Sequence, residues 1–247
     1  SRWVVDFTDA WLNLRDIEFT SPDRNLFPEF DPFLQYSMIE VTRQFFRQLI
    51  RENLPVRNLV KSDFAMLNNR LAEHYGISGV KGPEVRRVSL EQDGDRGGFL
   101  SQASVLKVSA NGTNTSPVVR GVWVMERLLG KTPPPPPAGV PGVEPDIRGA
   151  ETLRELLKKH RDSENCRSCH ALIDPPGFAL ESFNPIGGWR DRYRSLGAGE
   201  QVEAYVAGRR VRYRLGPEVD AAGQLPDGRR FNGFHQFRDF LADDEAV

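Results

Sequence analysis

The residues of this chain best placed to do chemistry together are Cys166, Cys169 and His170. They are its only two cysteines and one of its four histidines, set as Cys-x-x-Cys-His. This is the spacing of c-type haem attachment. Two thiols add across the vinyl groups on one edge of a porphyrin, and the two residues between them make the turn that spans the vinyl separation. The next residue is then aimed at the iron. Imidazole is a good ligand for that iron, and its second nitrogen usually donates to a carbonyl. The expected cofactor is haem c, anchored by Cys166 and Cys169 with His170 on the metal. Thioether formation occurs on exported, reduced protein, so the expected location is periplasmic or otherwise outside the cytoplasm.

Three other uses of these residues compete. A thioredoxin-like dithiol needs a strand before the motif and a helix after it, whereas here a charged helix is expected before it and a proline-rich turn after it. A zinc site would draw on His160, Cys166, Cys169 and His170, but the adjacent Cys169 and His170 are awkward for one tetrahedron and there is no second cysteine pair. The third is a plain disulfide.

The sixth iron ligand stays open between several candidates. His74 lies near the end of an expected helix, a good place to reach an iron and also to cap the helix C-terminus. His160 ends the helix leading into the motif, six residues before Cys166, where it would meet the iron or a propionate. Met38, Met66 and Met125 lie on expected helices, where core packing is the default. An open face is the remaining case. Arg120 and Arg190 are candidate donors to the propionates and Trp189 a candidate to pack on the porphyrin, each with a surface ion pair or core packing as the plain alternative. His235, at the start of the last helix, reads as a surface residue.

These groups need elements to position them. Trp3, Val4, Phe7, Ala10, Trp11 and Leu14 recur at helical spacing. Asp31 is a helix N-cap followed by Pro32, and a broad apolar face then runs from Phe33 to Ile50. A third helix is expected from Ser62 or Asp63 through Phe64, Leu67, Leu71 and His74, with Gly76 to stop it. Val85 to Leu90 suits a short strand, Gly97 to Leu106 a short helix, and Ser116-Pro117 opens a helix reaching Gly130. Pro133 to Pro137 is stiff polyproline II, read as a spacer or linker. A charged helix over 150–161 leads into the haem motif, and Asp174-Pro175-Pro176-Gly177 reads as a turn. One or two helical turns follow from Phe178 to Phe183. Strands and turns fill 201–231, with Asp227-Gly228 a tight turn, and a final helix holds Phe234, Phe237, Phe240 and Leu241. The expected fold is mainly α, a cytochrome-c-like helical domain around haem with a small strand- and turn-rich C-terminal section.

The bulk composition sets outer bounds. The chain has 247 residues, enough for one large domain or two modest ones. Its 33 Lys and Arg balance 34 Asp and Glu to a net charge of −1. There is no basic excess to meet nucleic-acid phosphates, and the basic run Arg209 to Arg214 reads as solvated surface. No apolar stretch approaches the roughly 20 residues that span a bilayer. The chain opens abruptly at Ser1 on what reads as helix, so it is expected to be a piece of a longer protein, and the missing signal peptide says little about location.

The segment from Cys166-Arg-Ser-Cys-His170 through Asp174-Pro-Pro-Gly177-Phe-Ala-Leu-Glu181-Ser-Phe183-Asn-Pro-Ile-Gly187 resembles the haem-motif region of the large planctomycete-type multidomain cytochromes, proteins assembled from domains of unknown function. The likeness extends to Phe64–Gly76, Gly98–Leu106, Thr115–Gly121, the proline run and Asp220–Phe231, and so covers nearly the whole chain. By this resemblance residues 1–80 are a helical segment, the end of one family domain, and 85–247 the next, the c-type haem domain, and the two are expected to pack as one unit. That family usually has Asp-Pro-Leu-Gly where this chain has Asp174-Pro175-Pro176-Gly177, and Asp where it has Asn184. His74 and His160 both fall on histidine positions of the family pattern. The implied function is single-electron transfer within a larger exported redox protein, with a redox protein or other domains of the parent chain as partners. A haem peroxidase or oxidase with an open distal face, and a non-catalytic scaffold module, are the alternatives.

Overall fold

The computed structural model describes residues 2–91, 94–134, 154, 155, 157, 164–206 and 208–244. Of the expected helix over 150–161 only residues 154, 155 and 157 are described, and these are helical; most of the proline run and His160 lie outside the described residues.

Helix α1 (Arg2–Trp11) buries Val4, Thr8 and Asp9. Trp3 and Phe7, on the expected inner face, remain 58% and 41% exposed and stack side by side 5.3 Å apart. Helix α2 (Pro32–Arg51) starts as its sequence dictates: the Asp31 side chain accepts from the Leu34 N–H, and Pro32 takes the first turn. It buries Leu34, Met38, Val41, Phe45 and Leu49, a stripe at spacings of three and four.

The expected third helix divides. Phe64–Leu67 forms strand β1, which pairs antiparallel with β2 (Arg86–Ser89), and only Asn69–His74 is helical, as α3. The helical spacing of Phe64, Leu67 and Leu71 is real, but Phe64 and Leu67 bury equally well from a strand, and pairing with β2 decides between the two. Asn68 restarts the helix: its side chain accepts from the Leu71 N–H and donates to the Ser37 hydroxyl. Gly76 ends the helix with φ +71°, a left-handed backbone that suits glycine.

Helix α4 (Ala103–Val108) is followed by α5 (Pro117–Arg127), capped by the Ser116 side chain. Helix α6 (Glu164–Ala179) carries the Cys-x-x-Cys-His segment and continues straight through Pro175 and Pro176. The expected turn there is absent. Each proline lacks an N–H and so leaves the carbonyls of Ala171 and Leu172 without helical partners. Both of those residues are exposed, which gives their carbonyls access to water, while Ile173, Phe178 and Ala179 are buried and hold the helix in place. The remaining strands are short: β3 (Arg192–Ser195), β7 (Arg214–Glu218) and β4 (Glu200–Gln201) form a three-stranded antiparallel sheet in the order β3-β7-β4, and β5 (Tyr205–Val206) pairs with β6 (Arg209–Arg210) and β8 (Gly223–Gln224) with β9 (Arg230–Phe231). Helix α7 (Phe234–Ala242) closes the described chain.

The mainly helical, cytochrome-c-like expectation is therefore corrected. The chain is mixed, with 44% helix and 15% strand, seven helices among the described residues and several small antiparallel sheets. The β1–β2 pair, formed where helix was expected, and the many two-residue strands of the C-terminal section make the difference. Leu12, Phe45, Phe99, Phe183 and Phe237 belong to a single buried cluster that draws on both sides of residue 80.

Candidate functional site

Positions 166, 169, 170 and 174 fall along one stripe of α6, because residues three and four apart lie one above another on a helix. Cys169 is half-buried and free of any disulfide. The His170 Nδ1 is 2.8 Å from Oδ1 of Asp174, one turn further on, and the Asp174 side chain is almost completely buried. A carboxylate accepts, so Nδ1–H donates to Asp174. In metal sites a carboxylate placed in this way orients a ligating imidazole and raises its basicity. Sequence reading missed Asp174 because it placed a turn there. The signal was the spacing of four, meaningful only once the helix runs through both prolines.

What holds α6 in place is its crossing with α5. A Cβ at Gly121 would lie 1.8 Å from the Ile173 carbonyl oxygen, and one at Gly177 would lie 1.8 Å from that of Pro117. The two glycines let the backbones approach more closely than any side chain allows.

Arg120 and Arg190 surround Glu181 rather than opening outward. Arg120 is fully buried. It donates through Nη1 to the carbonyls of Leu180 (2.6 Å) and Phe183 (2.7 Å), and through Nη2 to those of Asn184 (3.2 Å) and Leu106 (3.4 Å). Its Nη1 is 3.5 Å from Glu181 Oε1. Burial lowers its pKa to about 10, with the Glu181 carboxylate opposing, so it is charged at neutral pH. Arg190 donates to Glu181 Oε2 (2.9 Å), the Glu181 carbonyl (2.8 Å) and the Thr115 hydroxyl (2.8 Å). Tyr193 donates to the same carboxylate oxygen at 3.1 Å, and burial followed by that charge pushes its phenol pKa upward. Trp189 meets Phe183 edge-on and stacks on His235, with ring centres 5.6 Å apart. His235 is 2.9 Å from Asp95.

His74 sits elsewhere. Its Nε2 is 2.8 Å from the Ile186 carbonyl oxygen, and it lines a cavity of about 790 Å³ with Arg70, Arg96, Trp189 and Arg194; none of the residues lining that cavity lies on α6. Met38, Met66 and Met125 are buried, the default for methionines on apolar faces. Burial, reinforced by the Arg96 charge, lowers the His74 pKa to about 3. Below its ordinary value of 6.5 the unfolded chain takes up a proton that the folded chain refuses. The stability this ring contributes is thus complete above pH 6.5 and is lost progressively toward pH 3. With allowance for its partial exposure, the loss between pH 7.5 and 4.5 is about 1–2 kcal/mol. Urea denaturation at the two pH values should show that loss shrinking in His74→Gln, and identical pH dependence in both proteins would refute it.

Residues 1–77 match the family model PSD4, described as a protein of unknown function (DUF1592), and residues 96–193 match PSCyt3, described as a protein of unknown function (DUF1588). Both matches are to domains associated with planctomycete-type cytochromes c, which gives weak support to a redox role. No curated protein and no solved structure matches it. Among the described residues no helix is long and apolar enough to cross a membrane, and no three or more His, Cys, Asp or Glu side chains are grouped to hold a metal ion.

Proposed function

We propose that α6 holds a covalent haem c and that the chain is a single-electron-transfer module of a larger, exported redox protein. The observation that supports this most directly is the His170–Asp174 hydrogen bond, which prepares the imidazole of the Cys-x-x-Cys-His segment as a ligand through Nε2. The donor set fits the group: two cysteine positions and a histidine on one helical stripe, with the Cys169 thiol outside any disulfide. Bound there, haem would supply a one-electron iron couple.

The chain's own residues have separate tasks. Cys166 and Cys169 anchor the ring edge. His170 ligates, and Asp174 fixes its tautomer and orientation. By accepting from Nδ1–H, Asp174 would make the imidazole a stronger donor to a bound iron and so would favour its oxidised form and lower the potential. The Gly121 and Gly177 contacts hold α6 against α5, and the Arg120–Glu181–Arg190 group ties the segment after α6 to the body of the protein. The two cytochrome-associated family domains agree with this reading.

The test is production of the chain with an export signal in a host that matures c-type cytochromes. Haem should remain bound after denaturation and add its mass to the polypeptide, and Cys166→Ser/Cys169→Ser should remove both signatures. Asp174→Asn should keep the haem and raise the potential. A colourless exported protein without added mass would reject the cofactor. An unchanged potential in Asp174→Asn would reject only the role of Asp174.

A further inference from the structure

A groove of about 1020 Å³ lies between the turn before α2 and the β5–β7 region. Arg24, Arg209, Arg210, Arg212 and Arg214 line it, all of them exposed, and no Asp or Glu lines it. Among the described residues only Arg210 of these five has a carboxylate partner, the exposed Glu203. Among the described residues Arg212 reaches the Asn25 amide oxygen at 3.5 Å and Arg214 the Gly199 carbonyl at 3.3 Å.

The adjoining cavity, which shares Pro28, Val206 and Tyr213 with the groove, is built the opposite way. There Arg70 pairs with Asp31 and Arg194 with Glu29, both at 2.8 Å. The chain as a whole is close to neutral, at −1. The positive charge of the groove is thus a local concentration, largely uncompensated beside a cavity where Arg70 and Arg194, though not the buried Arg96, face carboxylates.

We infer that this groove receives an extended acidic polypeptide segment of a partner protein. Arginine is suited to this because its planar fork grips carboxylates bidentately. The lining favours a peptide among polyanions. The exposed Arg210, Arg212 and Arg214 lie around the buried Val211, at the end of β6, in the link between the strands and at the start of β7. Phe30 and Tyr213 in the lining offer apolar surface between the charges. The inference is independent of haem, since no lining residue belongs to α6.

The test measures binding of a labelled oligoglutamate peptide to the full chain by fluorescence anisotropy, with an oligouronate and a single-stranded oligonucleotide as parallel probes. Oligoglutamate should bind, weaken with added salt and lose roughly tenfold or more in affinity, at least 1.4 kcal/mol, in Arg210→Glu/Arg212→Glu. Circular dichroism should show that this exposed double variant stays folded. Arg2→Glu/Arg51→Glu, the same charge change away from the groove, should bind like the parent. Equal loss in both double variants would assign binding to the general field of the protein and overturn the site. No oligoglutamate binding, or tighter binding of the oligouronate or oligonucleotide, would overturn the acidic-peptide occupant.

Discussion

Arg120→Met is expected to destabilise the chain by about 3–5 kcal/mol, the cost of removing one member of a buried charged network and leaving its partners behind. Four main-chain carbonyls lose a donor, two of them held at 2.6 and 2.7 Å, and those of Leu180, Asn184 and Leu106 each keep one other. The Glu181 carboxylate, buried with it, loses a neighbouring charge. The carbonyl bonds are the shorter contacts and the Arg120–Glu181 approach the longer, so the guanidinium acts chiefly as a clamp on the backbone after α6. Two consequences separate the clamp from a simple ion pair. Arg120→Lys should fail to rescue, because a single ammonium nitrogen with three donors cannot take the place of the two guanidinium nitrogens that between them reach four carbonyls. Glu181→Gln should cost less, about 1–2 kcal/mol, since its amide oxygen still accepts from Arg190, Tyr193 or Thr115. Urea unfolding monitored by circular dichroism measures all three, and Arg120→Met within 1 kcal/mol of the parent would sink the clamp.

Gly121→Ala should also be severe, although alanine is the better helix former by about 1 kcal/mol. The added methyl would sit 1.8 Å from the Ile173 carbonyl oxygen, well inside contact distance and against backbone that cannot rotate aside. Helices α5 and α6 must separate. The net cost expected is about 3 kcal/mol, at the upper end of ordinary overpacking. Val119→Ala, at an exposed position of the same helix, provides the comparison and should change stability by about 0.5 kcal/mol or less. Trp123, buried on α5, gives a local fluorescence signal for the crossing. A parent-like unfolding midpoint for Gly121→Ala would mean that the helices pass further apart than the backbone places them.

The features legible in sequence were those with a local cause. Asp31-Pro32 and Ser116-Pro117 start their helices where expected because cap and first turn are specified by adjacent residues. Gly76 and Gly228 occupy the positive-φ positions their surroundings suggested. What was not legible depended on residues distant in the chain. Phe64–Leu67 became a strand because Arg86–Ser89 lies beside it. The stretch through Pro175-Pro176 stayed helical because α5 packs along it, against the local preference of two prolines. The candidate site divided along the same line. Cys166, Cys169 and His170 announce themselves by spacing. Asp174 was hidden by a turn signal that packing overrode. Arg120 and Arg190 were picked out only as candidate propionate donors, and Glu181, which both approach, had no local mark.

The pairing of β1 with β2 has a genetic consequence. It joins residues 64–67, inside the first family match, to 86–89, which lie in the gap between the two matches, the first ending at 77 and the second beginning at 96. A crossover in that gap before residue 86 would give each daughter half of a hairpin and a share of one hydrophobic interior. The two segments are therefore bound to travel as a single heritable cassette, and shuffling of such modules would be tolerated only at seams outside this pair.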